Sequence, residues 1–251
     1  MKNLIQRFEL PSFFLLAYLL SWLSVPFMQG GETTWGLVIA ARIVIGVSLG
    51  VQGVREWRKR VTNWRAGSWY LIAPLIVIAY TSIGFGMSLM LGAKLVAQPH
   101  VSLSALIMLV LFGGQWEEIG WTAYALPKLQ ERFADHPNGK LLAALTLSVF
   151  RAIWHLPLML YGKVYWFDML FLSFAFQIII AWVYDHSDGK VPAVMAMHFT
   201  SNIMGALLTP LFAGTDQVMY TALFISLASL FAVALVVAAQ FKTQSAKAEA
   251  V

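Results

Sequence analysis

The chain has 251 residues, 59% of them hydrophobic and 12% charged, with a mean hydropathy of +0.72. Soluble domains carry roughly a quarter charged residues, so this balance points to a membrane protein. The formal charge is +5, but the basic residues sit in short segments between apolar runs, which is how topology rather than nucleic-acid binding is written; the absence of cysteine excludes disulfides, Cys-ligated zinc and thiol catalysis.

A spanning helix needs about 20 mostly apolar residues. Eight runs qualify, at about 8–28, 35–54, 68–92, 102–126, 141–161, 165–184, 191–212 and 218–241. Lys2 and Arg7 before the first run resemble a signal sequence, but no small-x-small site stands near Met28-Gln29-Gly30, so the run reads as a retained anchor. There is no repeat and no linker long enough to divide soluble domains. The expected fold is one all-α polytopic transmembrane bundle of about eight spans: an N-terminal region at 1–100, a core at 101–212, and a last span with a tail at 213–251.

Eight spans bring both ends to one side, together with Lys2, Arg7, Arg55, Arg58, Lys59, Arg60, Arg65, Lys128, Arg132, Lys140, Lys190, Lys242 and Lys247. The other side holds Lys94 and Lys163. Positive residues stay inside, so the chain is expected in the cell (inner) membrane with both termini cytoplasmic. Trp57 and Trp64, interleaved with the basic residues of 55–65, read as interface anchors. Arg42 falls within the second run, where it should face another helix or a polar cavity, or else snorkel to the interface.

Three later runs carry the polar groups. The fourth holds Glu117 and Glu118, the fifth Arg151 and His155, and the seventh His198 and Asn202. Charge inside a bilayer costs at least a few kcal/mol, about 3 on insertion scales, so these groups should face a protein interior. Residues four apart share a helix face, which pairs Arg151 with His155 and His198 with Asn202. Adjacent residues diverge by about 100°, so one of Glu117 and Glu118 should enter a site while the other braces it. Counted from the basic ends, all three sets lie in the middle or the basic half of the layer, compatible with one cavity open to the cytoplasm. Pro157 should kink the fifth helix beside His155. Gly113 and Gly114 should let another helix approach closely.

These motifs resemble the CPBP family of intramembrane proteases, which includes the CAAX prenyl endopeptidases and bacterial Abi or bacteriocin-immunity proteins. The family pattern is Glu-Glu-x-x-x-Arg, then an aromatic four residues before a histidine, then His-x-x-x-Asn or Asp. This chain has Glu117-Glu118, His155 within Trp154-His155-Leu156-Pro157, and His198 with Asn202. The resemblance covers about 100–210. Thr122 stands where the family has arginine, and Arg151 where it has the aromatic. The arginine has then changed helices, and Arg151 is expected to pair with Glu118.

The resemblance implies peptide-bond hydrolysis without an acyl-enzyme, on a membrane-embedded or lipidated (CAAX-like) protein substrate. Glu117 with His155 would activate water, His198 and Asn202 would donate to the oxyanion, and Glu118 with Arg151 would hold the electrostatics. A zinc ion held by Glu117, His155 and His198, with the other glutamate as base, stays open. So do a proteolytically silent scaffold or immunity protein, suggested by Thr122, and a proton-coupled transporter, which would call for repeat-related halves.

Overall fold

In the computed structural model residues 2–249 are described, with side chains from 5 to 240. The side chains of Lys2, Lys242 and Lys247 lie outside that range. The described residues form an all-α polytopic bundle, 78% helical and without strands. Its helices are α1 (Lys2–Arg7), α2 (Glu9–Trp22), α3 (Trp35–Val61), α4 (Trp69–Met90), α5 (Leu103–Phe112), α6 (Glu118–Gly120), α7 (Leu126–Arg132), α8 (Gly139–Trp154), α9 (Leu156–Leu160), α10 (Ser173–His186), α11 (Val191–Leu208) and α12 (Gly214–Glu249).

Five stretches are long and apolar enough to cross a membrane: Trp35–Val61, Trp69–Met90, Asp168–His186, Val191–Leu211 and Gly214–Gln240. The other three apolar runs are shorter or broken. The first yields only Glu9–Trp22. The run at 102–126 stops at Gly113, resumes as a 3-10 turn (Gly114–Glu117), and passes through α6 and a π-helical turn (Trp121–Ala125) into α7. The run at 141–161 breaks at His155, and Pro157 enters the first turn of α9, where its missing N–H is no loss. The expected kink is thus a full stop and restart.

Two departures concern the second run. Helix continues to Val61, bending at Gly50, whose φ of +66° a side chain would resist. Trp57 is therefore on a helix and turns inward, 9% exposed, rather than serving as an interface anchor; Trp64 is exposed. Arg42 is exposed on the outer face of α3, so it faces neither a helix nor a cavity. Its long stem allows the charge to reach the interface from there.

Two large apolar cores divide the bundle, beside a smaller cluster of Ala93, Leu208, Leu211, Phe212 and Tyr220. One joins α2, α3 and the α6–α8 region through Phe13, Leu37, Val44, Trp121, Leu126, Leu147 and Trp154. The other joins α4, α10, α11 and α12 through Val77, Ile179, Ile180, Val194, Met197 and Ala228. Lys128 pairs with Glu9 at 3.2 Å and Lys140 with Asp185 at 3.2 Å, which gathers the start of α2, the α7–α8 turn and the end of α10 at one basic end. The 23–34 loop, the 161–167 segment and the end of α11 lie at the opposite end.

Candidate active site

The polar residues meet where the two cores face each other, at the two broken helices. A helix break strands backbone carbonyls, and hydrocarbon offers them no water. Side chains supply the donors. Gln115 Nε2 donates to Leu109 O at 2.7 Å and Val110 O at 3.0 Å, and Trp116 Nε1 donates to Val110 O at 2.8 Å. Across the second break, Trp22 Nε1 donates to Trp154 O at 3.0 Å and Tyr18 Oη to Phe150 O at 2.7 Å. Trp57 Nε1 donates to Ile119 O at 3.1 Å, beside the glutamate pair.

The two glutamates differ sharply. Glu118 is fully buried and fully engaged. Its Oε1 accepts from Arg151 Nη2 at 2.9 Å and from His198 Nδ1 at 2.6 Å, while Oε2 accepts from Arg151 Nη2 at 3.2 Å and from the Thr122 hydroxyl. Glu117 lines a cavity of about 450 Å3, and its Oε2, 3.7 Å from Arg151 Nη1, has no hydrogen-bond partner. Arg151 is 2% exposed, spans both carboxylates, and rests its guanidinium 5.8 Å from the Trp121 ring. Thr122 and Arg151 thus converge on one carboxylate, which is why a cation supplied from either position would reach it.

The cavity also brings together His155, His198 and Asn202. His155 packs against Trp154 with ring centroids 4.8 Å apart, and its Nδ1 has no partner. His198 is 8% exposed; because Glu118 is bonded to Nδ1, the free ring nitrogen is Nε2, which lies over Gly114. A Cβ at Gly114 would collide with that nitrogen, and one at Gly113 would come within 3.1 Å of Asn202 Nδ2. The two glycines are the places where α11 presses its polar face onto the broken helix.

All six sequence-predicted residues, Glu117, Glu118, Arg151, His155, His198 and Asn202, therefore gather in and behind one cavity. Its direction differs from the sequence expectation. The lining runs from Glu117 and His198 to Leu158, Val164, Asp168 and Thr209, toward the end poor in basic residues. Counting residues located the depth but not the opening. Both breaks, at Gly113 and His155, lie on the basic-poor side of the carboxylates, and they leave the space there.

The donors suit a zinc ion poorly. Glu117, Glu118 and His198 bring ligand atoms within 4.8 Å of one another, but His155 stands apart from that group. Glu118 is already committed to Arg151, His198 and Thr122, and the guanidinium supplies a cation to both carboxylates. A divalent ion there would face a fixed positive charge in a low-dielectric site.

Sequence reasoning missed the residues that plug the breaks: Tyr18, Trp22, Trp57, Gln115 and Trp116. Indole and amide donors at hydrocarbon depth are the available signal, because such groups are rarely left unpaired there. It also missed Glu32, in the loop after α2. Burial, followed by the nearby Glu117 carboxylate, pushes its carboxyl up to about 8.

Residues 99–204 match the family model described as type II CAAX prenyl endopeptidase Rce1-like. The chain is also 26% identical over 113 residues to CAAX prenyl protease 2 of Methanococcus maripaludis, a match covering 41% of this chain and 40% of that protein. The chain thus spans about 40% of the length of the curated relative it matches. The family match begins at the loop before α5 and ends within α11, so it contains both breaks and all six residues.

Proposed function

We propose that this chain, whose residues 99–204 belong to the CPBP family of CAAX-type proteases, is an intramembrane endopeptidase acting on a membrane-associated or lipidated protein by glutamate-activated water. The observation that carries the reading is the inequality of the two glutamates. Glu118 has both oxygens hydrogen-bonded, whereas Glu117 lines the cavity and its Oε2 has no hydrogen-bond partner. A general base needs such a free acceptor within reach of water.

Glu117 takes a proton from water as the water oxygen bonds to the scissile carbonyl carbon. The carbonyl oxygen becomes an oxyanion, toward which the Asn202 amide donates, with His198 lining the same cavity. Glu118, on His198 Nδ1, fixes the orientation of that ring. One such oxyanion donor is worth about 3–4 kcal/mol. The tetrahedral carbon then releases the amine, and the proton held by Glu117 passes to the leaving nitrogen, with His155 positioned to assist. Water is consumed, and one acid and one amine are formed.

Arg151 on Glu118 supplies the cation that Thr122 lacks, which weakens the main argument for a silent scaffold. The distribution of lysine and arginine supports an inner-membrane protein with its basic end and both termini in the cytoplasm; the cavity then faces away from that end. Purified protein in liposomes, given a panel of membrane-associated peptides after exhaustive chelation, tests the reading. Cleavage by the wild type that disappears in both Glu117→Ala and His198→Ala is expected. Loss of cleavage on chelation, or equal cleavage by Glu117→Ala, would overturn it.

A further inference from the structure

The proposed chemistry leaves one charged cavity residue without a task. Asp168 begins the π-helical turn Asp168–Leu172 that leads into α10, and it lines the same cavity as Glu117, His155 and Asn202. Among the described residues no lysine, arginine or histidine nitrogen lies within 4.0 Å of its carboxylate, and no hydrogen bond to that carboxylate is made. Lys163, the nearest cation along the chain, is exposed. A place in a first helical turn favours a negative charge. It does not explain why that charge opens on a catalytic cavity whose lining includes a single arginine, Arg151, already committed to Glu118 and facing Glu117.

The rest of the wall near Asp168 is neutral, with apolar Val164, Met169, Leu172 and Phe176 and a few hydroxyl groups. Tyr80 lies within electrostatic reach of Asp168 and beside Ser201, which lines the cavity, as does Thr81. Such groups can orient a guest's hydrogen bonds but cannot balance a carboxylate. The carboxylates Glu117, Glu118 and Asp168 outnumber the one arginine of the site, Arg151, so the cavity presents net negative charge to whatever enters. An unpaired charge away from bulk water calls for an opposite charge and hydrogen bonds to it.

We propose that Asp168 is a substrate subsite that receives a cationic side chain, lysine or arginine, of the peptide being cleaved. The proposal rests on the endopeptidase reading. It narrows the substrate class to peptides with a basic residue near the scissile bond, and it disfavours one that presents a free C-terminal carboxylate to Asp168. The ammonium or guanidinium would form a charge-assisted hydrogen bond with Asp168 while the scissile carbonyl faces Glu117 and Asn202.

The test uses the full chain in liposomes and one peptide series in which lysine, norleucine or glutamate is scanned through the positions flanking the cleaved bond. Two quantities are read: the ratio of kcat/KM for lysine over norleucine, and the same ratio for equilibrium binding of fluorescent peptides. In the wild type, lysine at one position should raise both ratios by about 10- to 100-fold, the range of a charged hydrogen bond. Asp168→Asn should bring both ratios to about one with an unchanged melting temperature, and Asp168→Lys should transfer the preference to glutamate. No cation preference at any position, or a preference that survives Asp168→Asn, would overturn the subsite. Lysine-dependent binding without cleavage of any peptide would support the subsite while refuting the endopeptidase.

Discussion

The uninterrupted helices and the two interrupted runs of this bundle have similar apolar composition and opposite uses. α4, α10, α11 and α12 run on without a break and build one core from Val77, Ile179, Val194 and Ala228. The runs at 103–132 and 139–160 stop at Gly113 and His155, and the carbonyls freed there, Val110 O and Trp154 O, are met by Gln115, Trp116 and Trp22. Broken backbone is tolerated at membrane depth only where protein covers it or a cavity needs it. Here the breaks do both. They open the space into which Glu117 and His155 face, and they are sealed from lipid by side chains of neighbouring elements.

If that contrast is right, the interrupted half should be held by a few polar contacts and fail when one is cut. The largest effect belongs to Arg151→Ala. It leaves Glu118 buried without its cation, a loss of about 3–5 kcal/mol of stability, read as a large fall in melting temperature together with loss of cleavage. Because Thr122 also reaches Glu118, Thr122→Arg combined with Arg151→Phe should recover most of both. Wild-type stability and activity in Arg151→Ala would remove the electrostatic account of the site.

Next is Trp22→Phe, which keeps the ring but removes the donor to Trp154 O. A buried carbonyl left unmet costs about 1–3 kcal/mol. Trp64→Phe, on the exposed end after α3, should stay within about 0.5 kcal/mol. Equal effects of the two would break the comparison between sealed breaks and ordinary surface.

The smallest effect concerns Glu32, in the loop beside the second break, whose Oε1 has no hydrogen-bond partner. With its folded carboxyl raised to about 8, it favours the folded state fully below its ordinary value near 4.5, and that contribution is lost as pH rises through about 8. The melting temperature of the wild type should therefore decline by a few degrees between pH 6 and pH 9, and Glu32→Gln should flatten the decline. Identical slopes in both proteins would mean that Glu32 is not held in the buried environment described.

Much of this was legible in the sequence because hydrocarbon makes polarity expensive. Glu117, Arg151, His155, His198 and Asn202 stand out against apolar runs, and four-residue spacing pairs them on faces. The gathering of these residues followed from that rule. The breaks did not, since an apolar run of 25 residues such as 102–126 reads the same whether its helix is whole or stops at Gly113. The direction of the cavity depended on those breaks and was missed with them. Trp57 was misread because tryptophan beside arginine suits an interface, while its actual partner, Ile119 O, is 62 residues away in sequence.

The division of labour between the adjacent glutamates is tested most directly by comparing Glu117→Gln with Glu118→Gln in one cleavage assay and one melting experiment. Both changes keep size and remove charge. The account predicts that Glu117→Gln lowers kcat by about 10²- to 10⁴-fold, the range of a general base, with little change in melting temperature. Glu118→Gln should lower the melting temperature as well as the rate, because its oxygens hold Arg151, His198 and Thr122. The reverse pattern, a stable but inactive Glu118→Gln beside an active Glu117→Gln, would contradict it.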